Sequence, residues 1–157
     1  MKKVKLFIMD VDGTLTDGRI YMGQDDELFK VFNIKDGCGI KKLLEKNIIP
    51  VIITARKSKI VELRAKELNI TEVYQGVGNK IEKLNKLVYK YDCSIDEIAY
   101  IGDDDNDFEC IKSSGISGCP NDSSELIKEN VDFISKYDGG NGAVREFIEY
   151  ILSLGDL

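Results

Sequence analysis

The sequence contains no histidine. That absence removes Ser-His and Cys-His nucleophilic pairs, imidazole general bases and imidazole metal ligands. Any chemistry falls to Asp, Glu, Lys, Arg, Thr or Cys, and any metal is held through oxygen or thiolate. The four cysteines, Cys38, Cys93, Cys110 and Cys119, include no CxxC pair, so zinc and thioredoxin-like sites lack their spacing. Reduced thiols in a cytoplasmic protein are expected instead. No apolar run approaches the roughly 18 residues of a membrane-spanning helix. The basic start Met1-Lys2-Lys3 leads into a strand, which is not a signal-peptide pattern. A net charge of −6 lacks the positive field of a general nucleic-acid binder. Phosphate loops of the GxxxxGK(S/T) type are missing. Calcium loops fail too: counted from Asp103, positions six and twelve are Phe108 and Ser114, and counted from Asp10 they are Leu15 and Tyr21.

What is present is a 157-residue chain, 43% apolar and 32% charged, as in an ordinary globular protein. This length suits one domain, spanning residues 1–157. Apolar runs alternate with amphipathic stretches. Strands are expected at Val4–Met9, Ile49–Ile53, Thr71–Tyr74, Ile98–Ile101, Gly115–Gly118 and Asp132–Ile134. Helices are expected at Gly37–Lys46, Lys57–Leu68, Lys80–Tyr91, Asn106–Ser114, Ser123–Asn130 and Ala143–Leu154. Continuous apolar strands in βαβ order predict an α/β fold with a doubly wound parallel sheet. Residues Arg19 to Phe32 break the alternation and read as a projecting β-hairpin with a Gly/Asp turn. Asp36-Gly37 reads as the N-cap of the first helix. Gly139-Gly140-Asn141-Gly142 reads as a flexible joint before the last one.

Asp10-Val11-Asp12-Gly13-Thr14 directly follows the first strand. In an open α/β sheet, ligands bind beyond the carboxyl ends of the strands. Two carboxylates there can hold a divalent cation and supply a nucleophile and an acid/base. The abundant acids favour Mg²⁺ or a similar hard ion. Thr54 follows the second strand, Lys80 opens a helix, and Gly102-Asp103-Asp104-Asp105-Asn106-Asp107 follows Ala99-Tyr100-Ile101. Taken singly, each has a plainer reading. Asp-Gly after a strand is often a turn, an acidic run is usually a solvated loop, Thr54 can cap a helix, and Lys80 can be a surface lysine. Parallel strands bring all four positions to one sheet edge.

The ordered set Asp10-x-Asp12-Gly13-Thr14, Thr54, Lys80, Gly102-Asp103-x-x-Asn106-Asp107 resembles the haloacid dehalogenase superfamily of phosphohydrolases. The resemblance implies a Rossmann-like core and an aspartyl-phosphate intermediate. It implies Asp10 as nucleophile and Asp12 as acid, then base. Mg²⁺ would be held by Asp10, Asp103 and the Asp12 backbone carbonyl, with Asp107 supporting the ligands. Lys80 and Thr54 would neutralise and hydrogen-bond the transferring phosphoryl group. The gaps Leu15–Lys35 and Ala55–Asn79, where relatives insert a cap domain, hold only the hairpin and one helix with one strand. No cap domain fits. The open site implies a large substrate or closure by neighbouring subunits.

Further stretches are similar to the 3-deoxy-D-manno-octulosonate 8-phosphate phosphatase family. They are Leu15 to Tyr21, Phe32 to Gly37, Arg64 to Leu68, Val73 to Gly76 and Gly139 to Glu146. That group also holds phosphatases of nine-carbon keto-sugar-acid 9-phosphates and the phosphatase-like tail of some acylneuraminate cytidylyltransferases. It implies a homotetramer with centrally assembled hairpins. Arg56, Arg64 and Arg145 are candidates for the substrate carboxylate, which Arg binds bidentately. Ala55 departs from the more usual Thr-Gly-Arg. Two readings of other classes remain open. A phosphoaspartate signalling receiver shares the sheet and acids, but Asp12 would discharge its stored phosphate. A regulatory subunit of a cytidylyltransferase would not need the intact catalytic set.

Overall fold

The computed structural model describes residues 3–154. Its strands are β1 (Leu6–Met9), β2 (Tyr21–Met22), β3 (Glu27–Phe29), β4 (Ile49–Ile53), β5 (Glu72–Tyr74), β6 (Ile98–Ile101), β7 (Ile116–Cys119) and β8 (Phe133–Ile134). Its helices are α1 (Ile34–Glu45), α2 (Lys59–Glu67), α3 (Lys80–Lys90), α4 (Phe108–Ser113), α5 (Glu125–Lys128) and α6 (Ala143–Ser153). Six strands form one parallel sheet in the order β5-β4-β1-β6-β7-β8. The chain winds outward from β1 to β5, then returns to the other side of β1 with β6. That reversal opens a crevice beyond the ends of β1 and β6. Each expected strand is present, its ends within one or two residues of those expected; β7 is shifted one residue on, to Cys119.

Strand alternation divides the core into two layers. Phe7, Met9, Ile52, Ala99 and Ile101 pack with Ile40 and Leu43 of α1 and Val144, Phe147 and Ile151 of α6. Leu6, Ile8, Val51, Ile53 and Tyr100 face the other way, onto Leu84 and Leu87 of α3 and Ile111 of α4. The central strands are buried on both faces, which explains their unbroken apolar runs. The hairpin β2–β3 stands apart as its own two-stranded sheet, with Tyr21 opposite Phe29 and a turn closed by Gly23 N–H donating to Asp26 O at 2.8 Å. Among the described residues, no helix is long and apolar enough to cross a membrane.

Two local expectations are corrected. Helix α1 starts earlier than Asp36: Asn33 is its N-cap, accepting from Lys35 N–H at 2.8 Å. Asp36 instead reaches across to α6, where Oδ1 accepts from Arg145 N–H at 2.9 Å. The cap that Asp36 supplies therefore belongs to another helix, 109 residues on. The segment Gly139–Gly142 is a close-packed seam. A Cβ at Gly139 would lie 1.9 Å from Gly13 O, and Gly140 N–H donates to Thr14 O at 3.1 Å. Glycine serves close approach to the loop after β1.

Asp36 is buried, and its Oδ2 has no hydrogen-bond partner among the described residues. Burial raises its carboxyl from 3.8 to about 6, against the lowering pull of the Arg145 and Gly142 amides. Between those values the folded chain binds more protons than the unfolded chain, so stability falls as pH rises from about 4 to 6. Asp36→Asn keeps the acceptor and removes the buried charge. Thermal denaturation should show a flatter pH dependence over that window and stability at pH 7 unchanged or higher, by up to about 3 kcal/mol. A stability deficit of the variant that grows as pH rises through 6 would show that the charge is favourable there.

Candidate active site

The chain turns sharply after β1. The N–H groups of Thr14, Leu15 and Thr16 all donate to Val11 O, at 3.1, 2.9 and 3.0 Å. Gly13 takes a φ of +95°, the left-handed region that glycine occupies freely. Its missing side chain also matters: a Cβ there would sit 2.1 Å from Asp103 Oδ2. Asp103 follows β6 and comes close enough for Thr14 Oγ1 to donate to its Oδ1 at 2.8 Å. The motifs after β1 and β6 are thus in direct contact.

Asp10, Asp103 and Asp107 each place a carboxylate oxygen within 4.8 Å of the others'. Lys80, the first residue of α3, points into this group. Its Nζ lies 2.9 Å from Asp10 Oδ1 and 2.7 Å from Asp107 Oδ1. Asp107 is fully buried and has both oxygens engaged. Oδ1 also accepts from Tyr100 Oη at 2.6 Å, and Oδ2 accepts from the N–H groups of Asp103 and Asp104 at 3.1 and 3.4 Å. Asp107 therefore anchors the loop and Lys80, leaving Asp10 and Asp103 as the side chains with oxygens to offer a ligand.

The electrostatics point the same way. Burial, followed by the charge of Asp107, raises Asp10 to about 6 despite Lys80. Burial and then the charge of Asp10 raise Asp103 to about 8. Lys80 keeps its charge: burial opposes it, but Asp10 and Asp107 outweigh that and raise its pKa. One ammonium cannot neutralise three carboxylates this close together, two of them buried. An all-oxygen set at this spacing fits a hard divalent cation, which would relieve the repulsion.

Asp12 lies nearer the mouth, its side chain 19% exposed. Its Oδ1 pairs with Lys30 Nζ at 2.5 Å, and its Oδ2 lies 4.0 Å from Arg56 Nε. Thr54 is buried after β4, its N–H donating to Tyr74 O and its carbonyl accepting from Val77 N–H. Asp10, Asp12, Thr54, Arg56, Asp104 and Asn106 line an open cleft of about 130 Å³. Of the three candidate arginines, only Arg56 lies there. Arg64 Nη1 pairs with Glu67 at 2.8 Å, and its guanidinium stacks on Phe32. Arg145 Nε pairs with Glu149 at 2.6 Å along α6. Neither lines the cleft within one chain.

Sequence reasoning missed Lys30 and Tyr100. Lys30 sits just past β3 with no motif around it, and only the folded hairpin brings it to Asp12. Tyr100 reads as one more apolar strand residue. Its signal is the polar atom on a residue of a fully buried strand, which needs a partner.

The fold and site define a haloacid dehalogenase-like hydrolase, and the model of that family matches residues 58–148. The 3-deoxy-D-manno-octulosonate 8-phosphate phosphatase of Escherichia coli K12 is 40% identical over 151 residues, covering 96% of this chain and 80% of that protein. The crystal structure of the Yersinia pestis phosphatase of the same name superposes with a TM-score of 0.92 at 39% identity, covering 96% of this chain and 81% of that one. The Moraxella catarrhalis phosphatase, solved with a magnesium ion, a phosphate ion and a KDO molecule, gives 0.92 at 40%, covering 96% and 86%. The chain belongs to the 3-deoxy-D-manno-octulosonate 8-phosphate phosphatase family.

Gly13→Ala tests the contact between the two loops. Left-handed strain costs about 1–2 kcal/mol, and the new methyl must displace the Asp103 carboxylate. We expect a folded protein with a lower melting temperature and weakened divalent-cation binding by calorimetry. Unchanged cation affinity would show that Asp103 does not need its present place.

Proposed function

We propose that this chain hydrolyses 3-deoxy-D-manno-octulosonate 8-phosphate to the free sugar acid and phosphate, using Mg²⁺. The observation that carries this reading is 40% identity across 96% of the chain with the Escherichia coli phosphatase. The constellation of Asp10, Asp12, Lys80 and Asp103 at one sheet edge supports it. So does Arg56, a cation at the mouth of the cleft suited to a substrate carboxylate. The whole chain works as one phosphatase domain.

Asp10 is the nucleophile: a carboxylate oxygen forms a bond to phosphorus as the bond to the sugar oxygen breaks. Asp12 donates a proton to that departing oxygen. It then takes a proton from the water whose oxygen displaces Asp10 from phosphorus. Lys80 holds Asp10 in place and lowers the negative charge that a phosphate must approach. Thr54 donates a hydrogen bond to the phosphoryl oxygens. Asp10, Asp103 and the Asp12 backbone carbonyl would hold Mg²⁺, which would supply charge stabilisation for the transferring phosphoryl group. Asp107 orients Lys80 and the Asp103 loop.

The chain forms a homotetramer in the cytoplasm. The hairpin and its flanks expose Ile20, Met22, Leu28, Phe29, Val31 and Ile34, an apolar surface that assembly would cover. Arg64 and Arg145 do not line the cleft of their own chain, and each is paired with a glutamate on its own helix.

The test is Mg²⁺-dependent phosphate release from a panel including the eight- and nine-carbon keto-sugar-acid phosphates. We expect preference for the eight-carbon substrate, loss on chelation, and a loss of at least about 10³-fold in Asp10→Asn. Preference for a nine-carbon phosphate would reassign the substrate. No release from any phosphate would favour a regulatory role.

A further inference from the structure

Lys30 lies outside every motif at the sheet edge, yet its side chain is 1% exposed and ends between two carboxylates. Its Nζ is 2.5 Å from Asp12 Oδ1 and 2.8 Å from Glu27 Oε1. Burying an ammonium is costly unless it is paired, so both acids are needed to hold it there. Glu27 is fixed in turn: its Oε2 accepts from Ser58 Oγ at 2.5 Å, and Ser58 caps α2 by accepting from Ile60 N–H at 3.2 Å. A continuous polar chain thus runs from the start of α2, through the hairpin, to the carboxylate of Asp12. Phe29 and Val31 on either side are half exposed, so alternation along the extended chain turns Lys30 inward, away from solvent.

We infer that Lys30 is a positioning residue for the acid/base carboxylate, occupying Asp12 Oδ1 and leaving Oδ2 to carry the proton. The inference rests on the phosphatase reading above. A carboxylate has two equivalent oxygens and rotates freely at its end. The ion pair makes them inequivalent: Oδ1 faces Lys30, and Oδ2 lies on the side of Arg56, which lines the cleft. In the first half-reaction the Oδ2 proton passes to the sugar oxygen as its bond to phosphorus breaks. In the second, Oδ2 takes a proton from the attacking water as the bond between phosphorus and Asp10 breaks. Glu27 keeps Lys30 in register throughout, and the hairpin becomes part of the catalytic apparatus without touching substrate.

The leaving group provides a readout that a merely structural role would not move. A sugar alkoxide needs a proton to depart, whereas p-nitrophenolate does not. The parameter kcat/KM reports steps through phosphoryl transfer to Asp10, before the shared hydrolysis of the intermediate. Lys30→Met should lower kcat/KM for the keto-sugar-acid phosphate by about 100-fold or more, and for p-nitrophenyl phosphate by less than about 10-fold. Lys30→Arg, which can still pair with Asp12, should recover part of the loss. Because Lys30→Met alone leaves two carboxylates facing each other, the double variant Lys30→Met with Glu27→Gln is measured beside it. It should fold and show the same leaving-group dependence. Equal losses on both substrates, or no loss on either, would overturn the positioning role while the wild-type activity stands. A wild type that releases phosphate from neither substrate would overturn the phosphatase reading and this inference together.

Discussion

Three clustered carboxylates, two of them buried, and one buried ammonium at the ends of β1 and β6 are the constraint around which the molecule is built. Asp10, Asp103 and Asp107 lie too close to be charged together without compensation, and Lys80 alone cannot supply it. Their positions follow from the sheet. Parallel pairing of Met9 with Ile101 sets Asp10 beside Gly102, and the sharp loops beyond bring Asp103 against Thr14. The helices serve this arrangement: α3 delivers Lys80, and the seam before α6 backs the loop after β1. Such a site gives up folding stability for a standing affinity for cations, the usual exchange at places where function overrides local preference.

The fold was legible because its signals are strong. Central strands buried on both faces read as unbroken apolar runs, and all six of the main sheet stand where expected. The motifs of the site were legible for the same reason, since each directly follows a strand or opens a helix. Legibility failed where a residue's partner is remote. Asp36 looks like a local cap from its neighbours, but its acceptor serves α6. The glycines before α6 look like a hinge, but the loop they press against is more than a hundred residues away in sequence. Lys30 carries no local signal at all. Propensity and spacing report on neighbours along the chain, and these roles depend on packing across it.

With no histidine in the chain, the proposed division of labour between Asp10 and Asp12 falls to two carboxylates. Val11 between them points into the core with no exposure, so the two carboxylates emerge on one side of the loop, in different surroundings. Asp10 is buried against Lys80, as suits a nucleophile held in one orientation. Asp12 is nearer solvent, between Lys30 and Arg56, where protons and water have access. Two residues of one type thus differ through burial and through the cations they meet.

Those cations come from separate parts of the fold. Lys80 belongs to the central sheet's own helix layer, whereas Lys30 belongs to the hairpin, whose apolar side is exposed in one chain. A hairpin this short is marginal by itself in water. Its ties include the Glu27–Ser58 contact, which leads to the start of α2, and the Lys30–Asp12 pair, which leads to the cleft. Covering the apolar side in an assembly would therefore do more than bury surface. It would steady the arm that holds the Asp12 carboxylate, so that the proposed assembly and the proposed proton transfer would both depend on one element.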